Sequence, residues 1–192
     1  YKRQLEQRPR PDVIEVFRGG IVTSGAAPLT PETFRRFEAL TGVGIVQGYG
    51  LTEASPVTHA NPMDSPRAGS IGLPLPDTQV RLADLQDSQR DAAAGEPGEL
   101  LVSGPQVTIG YLDHPDETQR ILSVDRNGRR RWLHTGDVVQ VDEDGFFYVI
   151  DRRKDMINRG GLKVYPAKVE RILKMHAQVE DAAVVGRADA VH

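Results

Sequence analysis

The segment from Thr30 to Gly42 constrains the fold of this chain more than any other. Phe34, Phe37 and Leu40 recur at helical spacing, Thr30 is a good N-cap, Pro31 suits the first helical position, and Gly42 can end the helix. Apolar runs flank it on both sides. Gly20 to Thr23 reads as a short strand and Val43 to Gln47 as a buried one. A helix between two such strands is the unit from which parallel sheets are built, so an αβ segment is predicted up to about Asn61.

From Pro62 to about Ile150 the pattern changes to short strands separated by glycine, proline and aspartate, among them Gln79 to Ala83, Glu99 to Ser103 and Val138 to Val141. Only Pro115 to Leu122 reads as helical there. Asp142-Glu-Asp-Gly145 ahead of Phe146 to Ile150 predicts a hairpin turn entering a strand. It lacks the spaced later ligands and distal glutamate of a calcium loop. After Ile150 come the charged Asp151-Arg-Arg-Lys-Asp155, a helix from Pro166 to His176 with Val169, Ile172 and Leu173 on one side, and a further strand over Ala182 to Val185. The expected divisions are an αβ unit over 1–61, a β-rich unit over 62–150 and a small α+β unit over 151–192.

Composition narrows the function classes. With a net charge of -3, nothing in the charge balance points to nucleic acid, and the Arg129-Arg130-Arg131 triplet reads as part of a solvated turn. Without cysteine there is no thiolate nucleophile, thiolate metal site or disulfide framework. His59, His114, His134 and His176 show no metal spacing and read as packed or solvated. No apolar run approaches the roughly 20 residues of a membrane-spanning helix. A cytoplasmic location is expected, with peripheral membrane association left open. The first residue, Tyr1, suggests a chain cut from a longer one.

One stretch raises a chemical question: Gly48-Tyr-Gly-Leu-Thr-Glu53. Glycines lack a Cβ, so the backbone at Gly48 and Gly50 can turn sharply and approach a ligand closely. Amides in such a turn bind anions, Thr52 adds a hydroxyl, and Glu53 can hold a divalent cation beside a phosphate. A plain glycine turn capped by Thr-Glu explains the same residues. The Gly-Lys-Ser/Thr phosphate loop is absent, and the glycine spacing does not match a dinucleotide fingerprint.

The order of several such stretches favours the chemical reading. Ser24-Gly-Ala-Ala-Pro28 precedes GYGLTE; Gly98-Glu-Leu, Gly104, Gly110-Tyr111, Trp132-Leu-His-Thr-Gly-Asp137, Asp151-Arg-Arg-Lys-Asp155, Gly160-Gly161 and Tyr165-Pro166 follow. The set resembles the adenylate-forming, AMP-binding superfamily, and the words GYGLTEASPVTHANP, GSIGLPLPDTQV, WLHTGDV and DRRKDMINRGGLKVYP look most like its medium- and long-chain fatty acyl-CoA synthetases.

The resemblance implies an α/β plus β fold: the end of an αβ sheet subdomain, a small distorted β-barrel-like subdomain and the start of a C-terminal lid. It implies a ligase in which a carboxylate attacks the α-phosphate of ATP to give an acyl-adenylate, after which coenzyme A releases AMP and a thioester. Carried over by position, Thr52 would bind phosphate and Glu53 magnesium. Tyr49 would stack on adenine opposite Gly25, Ala26, Ala27 and Pro28. Asp137 would accept the ribose hydroxyls, and Arg152 would reach ribose or phosphate. Lys154 falls at the lid's pivot, and Gly160 and Gly161 near the coenzyme A channel. Gly98, Glu99, Gly104, Gly110 and Tyr111 read as structural.

The same resemblance puts a phosphate-gripping loop lysine before Tyr1 and a lid lysine beyond His192. An internal fragment, inactive in adenylation by itself, is therefore expected. Two alternatives stand beside the fatty acyl-CoA ligase: an aryl-CoA or carrier-loading ligase, and a noncatalytic nucleotide-binding or interaction module. Oligomeric state is not legible.

Overall fold

The computed structural model describes residues 11–187 except 19, 27–28, 126 and 177. Helix α1 (Pro11–Arg18) adds to the expected order, its Phe17 meeting Phe37 edge to face with ring centroids 5.4 Å apart. Strand β1 (Val22–Ser24), helix α2 (Pro31–Thr41) and strand β2 (Ile45–Gly50) then form the predicted β-α-β unit, with the two strands parallel. Thr30 Oγ1 caps α2 by accepting the Thr33 amide at 3.2 Å, and Gly42 ends it in the left-handed conformation. Phe34 and Phe37 are buried with Ile45 against Phe17, Val22 and Leu29. At about 1.5–3 kcal/mol per buried large side chain, this small cluster is what holds α2 to the sheet.

Beyond β2 the chain makes one turn of 3-10 helix (Thr52–Ala54), then returns antiparallel as β3 (Val57–Ala60), which pairs with β4 (Leu73–Pro74). The expected glycine turn is corrected here. Gly48 and Gly50 both lie within β2, and the reversal falls at Ser55, whose φ is 53°. What Gly50 admits is the chain itself: a Cβ there would sit 1.7 Å from the carbonyl oxygen of Pro56, which accepts the Leu51 amide at 2.7 Å.

The second sheet comprises β5 (Gln79–Ala83), β6 (Gly98–Ser103), β7 (Leu122–Val124), β8 (Arg131–Val141) and β9 (Phe147–Arg152), with α3 (Pro115–Ile121) leading into β7. Its order is β5-β6-β8-β7, and β9 pairs with the other end of the long β8. All pairings are antiparallel. The sheet stays open rather than curling into the barrel-like form expected. Leu100, Val102, Leu133, Val139 and Phe147 are buried in one cluster with Ala54 and Ile71, and Tyr49 packs on it. The Ile71 amide and Ser70 Oγ both donate to the Phe147 carbonyl at 2.9 Å. The two sheets therefore share a core, and the end of β2 is fixed against β8 and β9.

A hairpin of β10 (Ile157–Arg159) and β11 (Leu162–Val164) precedes α4 (Pro166–Leu173). The helix stops short of His176 because the amides of Met175 and His176 turn to carbonyls three residues back, at 3.1 Å each. Val169 is partly buried, but Ile172 and Leu173, expected on its side, are exposed. Ala182 to Val185 is not a strand. The Val184 amide goes to Glu170 Oε1 at 2.9 Å, so a side chain takes the bond that a ladder partner would need.

Candidate functional site

The key local feature is an irregularity in β8. Leu101 of β6 faces His134 and Glu99 faces Val138, so Thr135, Gly136 and Asp137 together oppose Leu100. This bulge bends the strand and re-aims a side chain, as bulges beside functional sites do. Gly136 supplies the left-handed residue it needs, with φ 71°. Thr135 Oγ1 fixes the loop from inside, donating to the Leu100 carbonyl at 2.8 Å and accepting the Asp137 amide at 3.1 Å.

Asp137 is thereby turned into the junction of β2, β8 and β9. The Tyr49 hydroxyl donates to its Oδ2 at 2.5 Å, across 88 residues of sequence. Arg152, its register partner on β9, donates from Nε to Oδ1 at 2.9 Å. The Asp137 side chain is only 3% exposed, whereas that of Arg152 is 55% exposed. Burial pushes the Asp137 carboxyl up, and the Tyr49 hydrogen bond and the Arg152 charge only partly offset it. Burial, with the adjacent Asp137 charge, also raises Tyr49, so the proton of this short hydrogen bond stays on the phenol.

Behind Tyr49 lies His59, fully buried, its ring 5.8 Å from that of Tyr49 and 4.8 Å from that of Phe147. Its Nδ1 is 2.9 Å from Thr58 Oγ1, while Nε2 has no hydrogen-bond partner among the described residues. Burial holds this imidazole down, at about 4, and therefore neutral. It is a packed histidine, as its sequence context predicts.

Glu53 sits differently. It is partly buried on the 3-10 turn, with Thr52 exposed beside it, and its backbone carbonyl accepts the Thr108 amide at 2.8 Å. Its Oε1 accepts the Tyr111 hydroxyl at 2.5 Å, and that hydrogen bond pushes the phenol up to about 12. Tyr111, expected to be structural, thus reaches Glu53 directly. No group of three or more His, Asp or Glu residues forms a metal cluster among the described residues. A single carboxylate beside a hydroxyl still fits magnesium, which binds through one or two carboxylates plus substrate phosphates.

The remaining expected residues are spread out. Gly25 follows β1 next to Gly48, close to Tyr49, and Ala26 has φ 64°. Ala27 and Pro28 lie outside the described residues. Lys154 is exposed in the turn after β9, and Gly160 and Gly161 form the β10–β11 hairpin tip. A concavity of about 680 Å³ lies beside that turn, lined by Asp151, Lys154, Asp155, Ile157, Glu170 and Val184 among others but not by Asp137 or Tyr49. Among the described residues no helix is long and apolar enough to cross a membrane.

Comparison with known proteins decides the family. The sequence profile of the AMP-binding enzyme family matches residues 6–112, which include Tyr49, Thr52 and Glu53. The chain belongs to the AMP-binding enzyme family. Its similarity continues past that match: it is 46% identical over 163 residues to a long-chain-fatty-acid–CoA ligase of Yersinia pestis, covering 84% of this chain and 28% of the relative. Among solved structures, ATP-bound MatB from Rhodopseudomonas palustris superposes with a TM-score of 0.81 at 31% identity, over 97% of this chain and 36% of that one. The O-succinylbenzoate coenzyme A synthetase MenE from Bacillus subtilis, in complex with ATP and a magnesium ion, gives 0.75 at 31% identity, over 89% and 34%. This AMP-binding chain thus spans about a third or less of the proteins it resembles. Its mixed α/β architecture is that of adenylate-forming enzymes.

Proposed function

We propose that the chain carries the nucleotide-binding part of an ATP-dependent acyl-CoA ligase that activates a carboxylate as its adenylate and passes it to coenzyme A. The observation that supports this most is the meeting of Tyr49, Asp137 and Arg152 from three strands at one bulge. Asp137 accepts the two ribose hydroxyls in this reading. A carboxylate offers about four acceptor positions, so the contacts to Tyr49 and Arg152 leave two in hand. The exposed Arg152 guanidinium covers the buried acid and shifts toward ribose or phosphate when nucleotide enters.

Tyr49 is held by its hydroxyl and backed by His59, so its ring presents a fixed face to adenine, with Gly25 and Ala26 at the edge of that face. Thr52 donates to phosphate. Glu53 would hold magnesium, which when bound supplies positive charge where negative charge develops on the transferring phosphate. Tyr111 releases one carboxylate oxygen as the cation arrives. Lys154 marks the pivot of the small C-terminal unit, and Gly160 and Gly161 give close backbone passage to the pantetheine arm. The three divisions at 61/62 and 150/151 correspond to nucleotide platform, β-rich floor and lid in this reading.

A fatty acid is the preferred carboxylate, since identity to the long-chain ligase is 46% against 41% to a 2-succinylbenzoate–CoA ligase of Geobacillus, a margin narrow enough that aryl acids belong in the test. The test is a panel of fatty and aryl acids given to the full-length protein containing this chain, with AMP release and thioester formation measured separately. Fatty-acid-dependent formation of both products, abolished by Glu53→Ala, is expected. Turnover unchanged in Glu53→Ala at saturating magnesium removes that residue from the site, and thioester formation from aryl acids alone replaces the fatty substrate.

A further inference from the structure

Glu99 carries no role in the nucleotide reading, yet its carboxylate gathers Gly136, His134 and Arg153. Its side chain is 3% exposed, next to the fully buried Leu100 and Leu101. Oε1 accepts the backbone amide of Gly136 at 3.2 Å. Oε2 accepts Nη1 of Arg153 at 2.5 Å and faces His134 Nδ1 at 3.4 Å. The other ring nitrogen of His134 meets Ser123 Oγ at 2.8 Å. A second link closes the loop, because the Arg153 amide donates to the Gly136 carbonyl at 2.7 Å.

Both main partners of Glu99 stand one residue from the site. Gly136 precedes Asp137, and Arg153 follows Arg152. An acid buried in an apolar sheet is unfavourable unless it is fully paired, and an apolar side chain at such a position is often at least as stable. Burial pushes the Glu99 carboxyl up, but the His134 hydrogen bond and the Arg153 charge outweigh it and hold the group below its usual range. The carboxylate is charged, and it bridges the backbone amide of Gly136 in the β8 bulge to the guanidinium of Arg153 just after β9.

We propose that Glu99 is a positioning residue for the nucleotide site: it locks Gly136 to Arg153 so that Asp137 and Arg152 meet, and it fastens the turn that carries Lys154 to the sheet. The consequence for nucleotide rests on the reading of Asp137 and Arg152 given above; the lock itself does not. Without the carboxylate the bulge keeps its hydrogen bonds through Thr135 and the backbone bond from the Arg153 amide to the Gly136 carbonyl, but loses the side-chain link that holds Arg153 to the Gly136 amide.

The test compares the full chain with its Glu99→Gln, Arg153→Met and Arg153→Lys variants and the Glu99→Gln/Arg153→Met double variant. Amide hydrogen exchange without nucleotide reads the lock. In Glu99→Gln and Arg153→Met the amides of Gly136 and Arg153 should exchange about tenfold faster while those of Leu101 and Val102 are unchanged, and Arg153→Lys should restore protection. AMP titration reads the consequence: Glu99→Gln and Arg153→Met should each bind about tenfold more weakly, Arg153→Lys should bind as the parent does, and the double variant should be no worse than either weakened single, since the pair acts as one unit. Unchanged exchange at Gly136 and Arg153, or a loss spread evenly over β6 and β8, overturns the proposal. Should Glu99→Gln fail to fold, Arg153→Met still decides, its side chain being 37% exposed at the sheet surface. Absence of AMP binding by the unmodified chain defeats the nucleotide reading, while the exchange data continue to decide the lock.

Discussion

Asp137 and Glu53 are carboxylates assigned to one site, yet the fold treats them in opposite ways. Asp137 is sunk in the β8 bulge, held by Tyr49 and Arg152 and flanked by the Glu99 network. Glu53 stands on a single 3-10 turn, touched at its carboxylate by the Tyr111 hydroxyl. The first region is built by packing and is complete before any ligand arrives. On the proposed reading the second is open to exchange, because a cation would displace one hydroxyl from Glu53 rather than break a buried pair. Stability should therefore respond to changes around Asp137, and ligand binding without stability loss to changes at Glu53.

Acid gives the largest expected effect, and it falls on the preformed half. His59 behind Tyr49 titrates at about 4 when folded against the ordinary 6.5, so the unfolded chain takes up the proton first. The contribution is full above pH 6.5 and is lost as pH falls through about 4, a total of about 3 kcal/mol. Urea unfolding at stepped pH should show this slope, and His59→Gln should flatten it. An equal slope in the variant assigns the acid sensitivity elsewhere.

Next comes Glu99→Ala, which strands the Gly136 amide and unpairs Arg153. Unfolding free energy should drop by about 2 kcal/mol, less than for a fully buried ion pair because Arg153 reaches solvent. Tyr49→Phe removes one donor from the buried Asp137 and should cost about 1 kcal/mol in the same assay. Smallest of all is Glu53→Ala, within about 0.5 kcal/mol of the parent in stability. If Glu53→Ala destabilises as much as Glu99→Ala, the contrast between a built and an exchangeable half is wrong.

The α2 segment was legible because its signals are local: cap, first-turn proline, phased phenylalanines and terminal glycine all act within a dozen residues. The longer reach of β8 was not. Gly136-Asp137 looks like a turn, so only Val138 to Val141 reads as strand, whereas Arg131 to Val141 runs on through a bulge that exists only against β6. The partners of Glu99 and Tyr111 are hidden from local patterns for the same reason, lying 37 and 58 residues away in sequence. Within GYGLTE, Gly50 has a local cause. The glycines of that stretch suggest a ligand pressed against the backbone, and the space at Gly50 is taken by Pro56. Ala182 to Val185 shows the limit of an apolar run, which becomes a strand only where a ladder partner is free. Helix α1 escaped because its inward stripe is short, with Ile14 and Phe17 its inner residues described as partly buried.

The order of motifs along the chain was more informative than any one of them. Tyr49, Asp137 and Arg152 each have an ordinary explanation alone, and the fold brings Tyr49 and Arg152 within hydrogen-bond reach of the Asp137 carboxylate. The measurement that tests the central claim most directly is calorimetric titration of AMP into the full chain, beside the near-isosteric Asp137→Asn variant with its folding checked by thermal unfolding. Saturable single-site binding that weakens about tenfold in the variant is predicted, as for loss of charged hydrogen bonds. Equal affinity in the two proteins, or no saturable binding to the parent chain, would contradict it.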